Sequence, residues 1–167
     1  MQHTTQGMIM PDLLVKLYTL PDLAPENVTL QQKGIELRRS LAPEKHIVVN
    51  WVREKFSEGW ASETDVAYSI QPVSCYVATQ EGRLLGFACY DATTRNFFGP
   101  TGVDESQRGK GIGKALLLAC LHDMRAHGFG YAIIGAAGPV DFYVRAVGAI
   151  PIPDSWPGVY RGLLGMD

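Results

Sequence analysis

The sequence predicts one mixed α/β domain over residues 1–167, with a largely antiparallel sheet that is flanked by helices and contains one parallel strand pair. Two apolar runs joined by a short turn with glycine indicate an antiparallel hairpin. Further along, the order strand, glycine-rich turn, helix and strand is typical of a βαβ unit, whose two strands are parallel. A chain of 167 residues, 46% of them hydrophobic, is long enough to enclose one full core.

The composition argues against several classes of partner. The net charge is −2 and no block of lysine or arginine occurs, so nothing electrostatic favours a nucleic acid. No apolar run approaches the ~20 residues that span a bilayer, so no membrane partner is expected. Residues 1–6 lack the features of a signal peptide. We therefore expect a cytoplasmic protein in which residues 1–8 form a short disordered lead.

The cysteines and histidines indicate neither a cross-link nor a metal centre. Cys75, Cys89 and Cys120 are odd in number and lie in apolar runs, which favours small buried thiols in a reducing compartment. A catalytic cysteine is the less favoured interpretation. The four histidines show no ligand spacing, so no metal is predicted.

The N-terminal part of the chain predicts two strands. The apolar residues 13–18 lie between Pro11 and Pro21 and predict an early strand. Residues 21–27 are typical of a turn-rich connector. Residues 35–39 alternate partly and predict the second strand.

A helix is predicted to open at residues 43–45, where proline and an acidic residue suit a helix N-terminus. Apolar residues recur on one face and are expected to point to the core: Ile47, Val48, Trp51, Val52 and Phe56. Gly59 breaks this stripe, and the polar stretch 57–65 predicts an irregular loop.

The central strands are the most clearly marked. Residues 74–79 and 84–90 are apolar and flank the turn 80–83, which predicts the hairpin. A third strand follows over 96–103, and Gly99-Pro100 interrupts it. Because proline lacks a ladder donor and glycine often marks a bulge, we predict a β-bulge here, with an ordinary edge strand as the alternative.

The rest of the βαβ unit is a helix from Ile112 to about His127, which Gly128 ends as a left-handed cap. Residues 131–136 form a short, fully apolar run that suits a buried strand. The tail over 150–164 predicts the last strands around a proline-rich excursion.

The most distinctive stretch is the glycine-laced turn 108–114, which runs directly into the apolar helix. Its alternating glycines can turn tightly and expose their N–H groups. The first turn of a helix adds unpaired N–H groups and partial positive charge. Together with the basic residues Arg108, Lys110 and Lys114, these features predict a seat for a phosphate or diphosphate.

Two common phosphate motifs do not fit this turn. A Walker loop needs glycine where Ser106 stands, and serine or threonine where Ala115 stands. The dinucleotide fingerprint needs a third glycine in place of Lys114. What remains is the pattern Arg-x-x-Gly-x-Gly, from Arg108 through Gly111 to Gly113.

That pattern resembles the acetyl-CoA signature of the GNAT superfamily of N-acetyltransferases, Arg/Gln-x-x-Gly-x-Gly/Ala. Residues 101–107 look like the strand and loop that lead into it, and residues 84–87 are similar to the family's Leu-x-Gly-Phe run. The resemblance implies a twisted, mostly antiparallel sheet of about six or seven strands whose one parallel pair splays apart. It also implies that the Gly99-Pro100 bulge lies beside the acetyl group.

A second segment carries the resemblance further. Phe142-Tyr143 followed by Gly148 resembles the family's Phe-Tyr-x-Lys-x-Gly-Phe segment, with one extra residue before the glycine. A tyrosine at this place often acts as general acid in the family, so Tyr143 is the candidate catalytic residue, with core packing as the alternative. Gly138 and Pro139 depart from the asparagine and polar residues often seen there.

The resemblance implies a binding site for CoA. Main-chain groups near Val103 would meet the pantetheine arm, and the turn would hold the diphosphate mainly through its N–H groups. The implied cofactor-binding residues are Val103, Arg108, Gly109, Lys110, Gly111, Ile112, Gly113 and Lys114.

The predicted activity is acetyl transfer from acetyl-CoA to a primary amine, by direct attack through a tetrahedral intermediate. Backbone N–H groups on the bulged strand would stabilise the oxyanion, and Tyr143 would protonate the leaving thiolate. No base is assigned. A water chain, an amine already partly neutral, or one of four carboxylates would serve: Asp91, Asp104, Glu105 and Asp141.

Several alternatives stay open on sequence alone. A non-catalytic acyl-CoA-binding or sensor module would use the same fold. Trp60, Glu63 and Asp65 could line an acceptor pocket or belong to a solvated loop, and Trp156 could cover the pocket or cap the core. The acceptor could be a small amine, an amino acid, an antibiotic or a protein N-terminus, and a homodimer is common in the family.

Overall fold

The computed structural model describes residues 9–165, so the lead predicted over residues 1–8 lies outside the described residues. The strands are β1 Leu13–Lys16, β2 Glu36–Arg39, β3 Cys75–Gln80, β4 Arg83–Tyr90, β5 Phe97–Val103, β6 Tyr131–Ile134 and β7 Ile150–Pro151. The α-helices are α1 Ala24–Gln32, α2 Lys45–Lys55, α3 Glu58–Ala67, α4 Ile112–Ala126 and α5 Val140–Val147.

The seven strands form one sheet in the order β2-β3-β4-β5-β6-β1-β7, which confirms the predicted mixed α/β fold. Neighbouring strands are antiparallel except β5 and β6, which are parallel and joined through α4. Alternate residues of a strand point to opposite faces of the sheet, and helices cover both faces. On β4, Phe87 and Cys89 pack in the core with α2 and α3, whereas Ala88 and Tyr90 pack in the core with α4.

The hairpin and the bulge are both confirmed. The β3–β4 turn is tighter than predicted, because Glu81 and Gly82 both have positive φ (+50° and +76°) and make a two-residue hairpin turn. On β5, Thr101 faces Ala88 and Phe98 faces Tyr90, so Gly99-Pro100 bulges out opposite a single residue of β4. Because β5 lies between β4 and β6, the edge-strand alternative is wrong.

Helix α4 is the centre of the larger core, as its apolar sequence predicts. It begins at Ile112, and the chain leaves it through Gly128, whose φ of +97° is left-handed. Its buried side chains are Ile112, Ala115, Leu116, Leu117, Leu118, Ala119, Cys120, Leu121 and Met124.

Two helices occupy segments for which the sequence predicts loops, and both loop predictions are wrong. Helix α1 forms where a connector is expected, because Pro25 stands in its first turn, where no N–H donor is needed. Helix α3 forms in the polar stretch because Ser57 caps it: the Ser57 hydroxyl accepts a hydrogen bond from the Trp60 N–H at 3.1 Å.

Two smaller predictions are also corrected. In α2, Ile47 is 57% exposed and Val49 is buried instead, and the helix ends at Lys55, before Gly59. In the tail, β7 has only two residues and no further strand forms before Gly165. The recurrent prolines there lack the N–H groups that a ladder needs.

The cysteines Cys75, Cys89 and Cys120 are free and buried, which confirms the prediction of buried thiols. Burial raises the pKa of the Cys89 and Cys120 thiols. No helix between residues 9 and 165 is long and apolar enough to cross a membrane.

A polar cluster ties α4 to the sheet. The Asp123 carboxylate pairs with the Arg39 guanidinium and accepts hydrogen bonds from the hydroxyls of Tyr76 at 3.1 Å and Tyr90 at 2.9 Å. Burial and the Asp123 charge raise the pKa of both tyrosines, so both remain neutral donors. One carboxylate therefore connects the helix to β2, β3 and β4.

We expect Asp123→Ala to lower the free energy of unfolding by about 2 kcal/mol, because it leaves a partly buried guanidinium and two hydroxyls without their acceptor. Denaturant titration followed by circular dichroism measures the change. Asp22→Ala, at an exposed position before α1, is the control and should alter stability by less than about 0.5 kcal/mol. Equal stabilities for the two variants would contradict the role of the cluster.

Candidate active site

The parallel strands β5 and β6 separate as soon as they have paired. Phe97 faces Ile133 and Phe98 faces Ile134, and the pairing stops there. The Gly99-Pro100 bulge follows at once on β5. The pair therefore splays, as the predicted fold requires, and a gap opens between the two strands.

The chain after β6 bonds to the N-terminal segment instead of to β5. The Ala136 N–H donates to the Asp12 carboxylate at 2.8 Å, and the Ala137 N–H donates to the Pro11 carbonyl at 3.0 Å. These bonds turn the chain away, so β6 ends at Ile134, two residues earlier than predicted.

On one side of the gap lies a groove of about 680 Å³, which we call the α4 groove because it leads to the first turn of that helix. Its walls are the end of β5, the glycine turn and the start of α5. The predicted cofactor-binding residues that line it are Val103, Arg108, Gly109, Gly111, Ile112, Gly113 and Lys114. Lys110 does not line it, and the Lys110 ammonium group donates to the Gln107 side chain at 2.7 Å.

The glycine turn leaves a row of N–H groups without partners. Gly109 and Gly111 have left-handed φ values of +81° and +86°, which glycine adopts without strain. Gly111 is the N-cap of α4, and its carbonyl accepts the first helical hydrogen bond, from Ala115, at 3.2 Å. The six N–H groups of residues 109–114 meet no backbone carbonyl in the described chain. Unpaired N–H groups at the start of a helix are suited to an anion, so we call this row the candidate anion seat.

The basic side chains around the seat are already engaged within the protein. The Arg108 Nε donates to the Val103 carbonyl at 3.4 Å, and the Lys114 ammonium pairs with Glu26 of α1 at 2.9 Å. The backbone therefore supplies most of the seat's donors, and the side chains add positive charge from its rim.

On the other side of the gap lies a second cavity, of about 510 Å³, which we call the tail cavity because residues of the C-terminal tail form one wall. It meets the α4 groove at five shared residues: Trp60, Phe98, Thr101, Gly138 and Tyr143. A ligand in the groove and a ligand in the cavity would thus approach one another at this junction.

Tyr143 stands at the junction on α5. It is only 6% exposed, and its ring packs edge-on against Phe98, with the ring centres 6.4 Å apart. Burial alone raises its pKa to about 12, so the phenol keeps its proton at neutral pH. The packing interpretation and the catalytic interpretation are compatible, because the buried ring also borders both cavities.

The carboxylates named as candidate bases do not line the tail cavity. Asp91 accepts a hydrogen bond from the Asn96 N–H at 2.6 Å, and Asp104 pairs with Lys55 at 2.9 Å. The Lys55 and Ser106 hydrogen bonds lower the pKa of Asp104 to about 2, which makes it a poor base. Glu105 and Asp141 are exposed.

Glu63 is the carboxylate that faces the tail cavity, together with Trp60, whereas Asp65 pairs with Lys45 at 2.8 Å instead. The Glu63 carboxylate accepts a hydrogen bond from the Thr93 hydroxyl, and burial raises its pKa. Residues three apart share a helix face, so recognising Ser57 as an N-cap would have placed Trp60 and Glu63 together.

A cluster of aromatic rings closes the wall shared with α2 and α3. The Phe56 ring lies over the Gly102 backbone of β5, and its centre is 5.0 Å from that of Trp60 and 5.9 Å from that of Phe87. A Cβ built on Gly102 would lie 2.3 Å from the Phe56 ring. Only glycine lets the ring pack here.

The fold is shared with known proteins. The model of the Acetyltransferase (GNAT) family matches residues 45–148. A search of curated protein sequences gives no match. Several solved structures superpose on most of the chain. The GCN5-related glucosamine N-acetyltransferase region of a fungal multi-domain GH3 β-N-acetylglucosaminidase gives a TM-score of 0.69, at 16% identity over 85% of the chain.

A GCN5-related N-acetyltransferase from Sphaerobacter thermophilus gives a TM-score of 0.66, at 22% identity over 85% of the chain. A GCN5-related N-acetyltransferase from Kribbella flavida gives a TM-score of 0.55, at 16% identity over 87% of the chain. The chain spans only 19%, 48% and 55% of the lengths of these three proteins. At such identities the likeness concerns the fold alone.

We expect Gly102→Ala to lower the free energy of unfolding by about 1–3 kcal/mol, because the added methyl group displaces the Phe56 ring. Gly59→Ala is the matched control: it lies in α3, where the nearest atom to an added Cβ is 4.0 Å away, and helix propensity favours alanine. Thermal denaturation of both variants measures the difference. A Gly102→Ala protein as stable as the parent would refute the packing.

Proposed function

Because the chain belongs to the acetyltransferase (GNAT) family, we propose that it transfers an acetyl group from acetyl-CoA to a primary amine. One observation carries this proposal: five residues whose N–H groups have no partner in the described chain line a groove that meets a second cavity at a buried tyrosine. These residues are Gly109, Gly111, Ile112, Gly113 and Lys114. Family membership supports acyltransferase activity in general. The cosubstrate, the acceptor and the roles of single residues are the proposal.

The residues of the α4 groove fit coenzyme A. The N–H groups of residues 109–114 and the positive end of α4 suit the diphosphate. The apolar side chains of Val103, Ile112 and Phe142 suit the pantetheine arm. The volume of about 680 Å³ lies within the ~300–1,000 Å³ of small-molecule sites.

The junction suits the transfer itself. Acetyl-CoA supplies an electrophilic thioester carbonyl, which an amine in the tail cavity attacks. A pKa of about 12 keeps the proton on the Tyr143 phenol at neutral pH. When the tetrahedral intermediate collapses and its C–S bond breaks, the phenol gives this proton to the leaving sulfur and takes up the proton that the new amide nitrogen releases. The N–H groups of the bulged strand β5 stabilise the oxyanion.

Calorimetric titration tests the cosubstrate. CoA should bind more tightly than ATP, because the turn departs from the nucleotide motifs at Ser106 and Ala115. Tighter binding of ATP would instead favour a nucleotide-binding domain. CoA binding without amine-dependent thiol release from acetyl-CoA would favour the non-catalytic binding module.

We expect Gly111→Glu to bind CoA at least about ten-fold more weakly than Gly111→Ala. Both variants place a side chain at a φ of +86°, so the backbone strain is common to both, and only glutamate adds negative charge at the seat. Calorimetry measures the affinities and circular dichroism checks that both fold. Equal affinities would mean that the diphosphate binds elsewhere.

We expect Tyr143→Phe to lower kcat by about 100-fold or more, because the leaving thiolate loses its proton donor. CoA affinity should stay the same. Tyr131→Phe, at an exposed position at the start of β6, is the control and should keep its turnover. Release of CoA thiol from acetyl-CoA measures both variants, and an unchanged kcat for Tyr143→Phe would remove the role assigned to this tyrosine.

A further inference from the structure

The tail cavity has a single charge in an aromatic lining. Trp60, Trp156 and Tyr160 form much of its wall, and Leu163 from the tail adds an aliphatic side chain. Among the described residues that line it, Glu63 alone is charged, and no lysine, arginine or histidine is present.

Glu63 is fixed in this cavity with its charge uncompensated. It is half-buried on α3, and the neutral Thr93 hydroxyl is the hydrogen-bond partner of its carboxylate in the described chain. Burial raises its pKa, and its charge also contributes to the raised pKa of the Tyr160 phenol. A negative charge that is partly removed from water and not paired with a cation attracts a cationic ligand group.

We propose that the acceptor is a primary amine that carries one positive charge on an apolar or aromatic body, and that its ammonium group binds Glu63. The identification as acceptor rests on the proposed acetyl transfer, whereas the binding itself does not. The aromatic walls receive the body of the amine. Trp60, one helical turn from Glu63, lines both the cavity and the junction, so the nitrogen held by Glu63 is the one presented for transfer. The Glu63 carboxylate takes one proton from the ammonium group, and the neutral amine that results attacks the thioester carbonyl.

The same lining selects against other amines. An amino acid would bring a carboxylate that finds no cation in the cavity and would repel Glu63. An amino sugar would bring several hydroxyl groups to walls that are mostly apolar. A polyamine would bring more positive charges than a single carboxylate can neutralise.

The test compares phenethylamine with phenylalanine, which differ only by the carboxylate, and with glucosamine. Trp60 and Trp156 line the cavity, so quenching of tryptophan fluorescence reports binding directly, with or without CoA. Phenethylamine should bind at least about ten-fold more tightly than either other compound. Glu63→Gln should lower the affinity for phenethylamine by at least about ten-fold, because the ammonium group loses the negative charge of its carboxylate partner.

Asp65→Asn is the matched control: it removes a carboxylate two residues away on α3 that pairs with Lys45 outside the cavity. The Asp65→Asn protein should bind phenethylamine with the affinity of the parent. The Glu63→Gln protein should bind CoA with the affinity of the parent, as measured by calorimetry. Tighter binding of phenylalanine or glucosamine, or equal phenethylamine affinity in Glu63→Gln and the parent, would overturn the inference. Glu63-dependent phenethylamine binding in a protein that fails to bind CoA would leave this amine site in place and refute the proposed transfer.

Discussion

The parallel strands β5 and β6 hold together over two residue pairs, and two local features prevent any further pairing. On β5, Gly99-Pro100 bulges out and offers no N–H at the proline. On β6, the N–H groups of Ala136 and Ala137 bond to the N-terminal segment. A buried backbone group must find a partner, so once the N-terminal segment takes these donors the gap stays open. The α4 groove and the tail cavity lie on the two sides of that gap and meet at the junction that includes Tyr143.

The proposed diphosphate seat consists of main-chain N–H groups more than of charged side chains. Arg108, Lys110 and Lys114 all have partners within the protein, whereas the N–H groups beside them do not. Gly109 and Gly111 adopt left-handed φ values there, which residues with a Cβ atom would adopt only under strain. If this seat holds a diphosphate, as proposed, its affinity should depend on the N–H groups more than on the basic side chains.

Local sequence patterns predicted those parts of the fold that depend on the backbone conformation of a few neighbouring residues. The β3–β4 hairpin, the bulge at Gly99-Pro100 and the α4 cap at Gly128 each follow from the backbone needs of glycine and proline. Helix α3 was missed because its polar residues mask a short buried face. Glu63 was named as one of three residues that could line an acceptor pocket, but without the helix nothing separated it from Asp65, which pairs with Lys45 instead. The place of β1 between β6 and β7 follows from long-range pairing, which no local pattern encodes.

Backbone amide NMR provides the most direct test of the seat. When CoA is added to ¹⁵N-labelled protein, the amide signals of residues 109–114 should shift the most. The signal of Gly128, which follows the far end of the 15-residue helix α4, should stay in place. Saturable binding of CoA that leaves the signals of residues 109–114 unmoved, or the absence of any shift on addition of CoA, would contradict the claim that these amides hold the diphosphate.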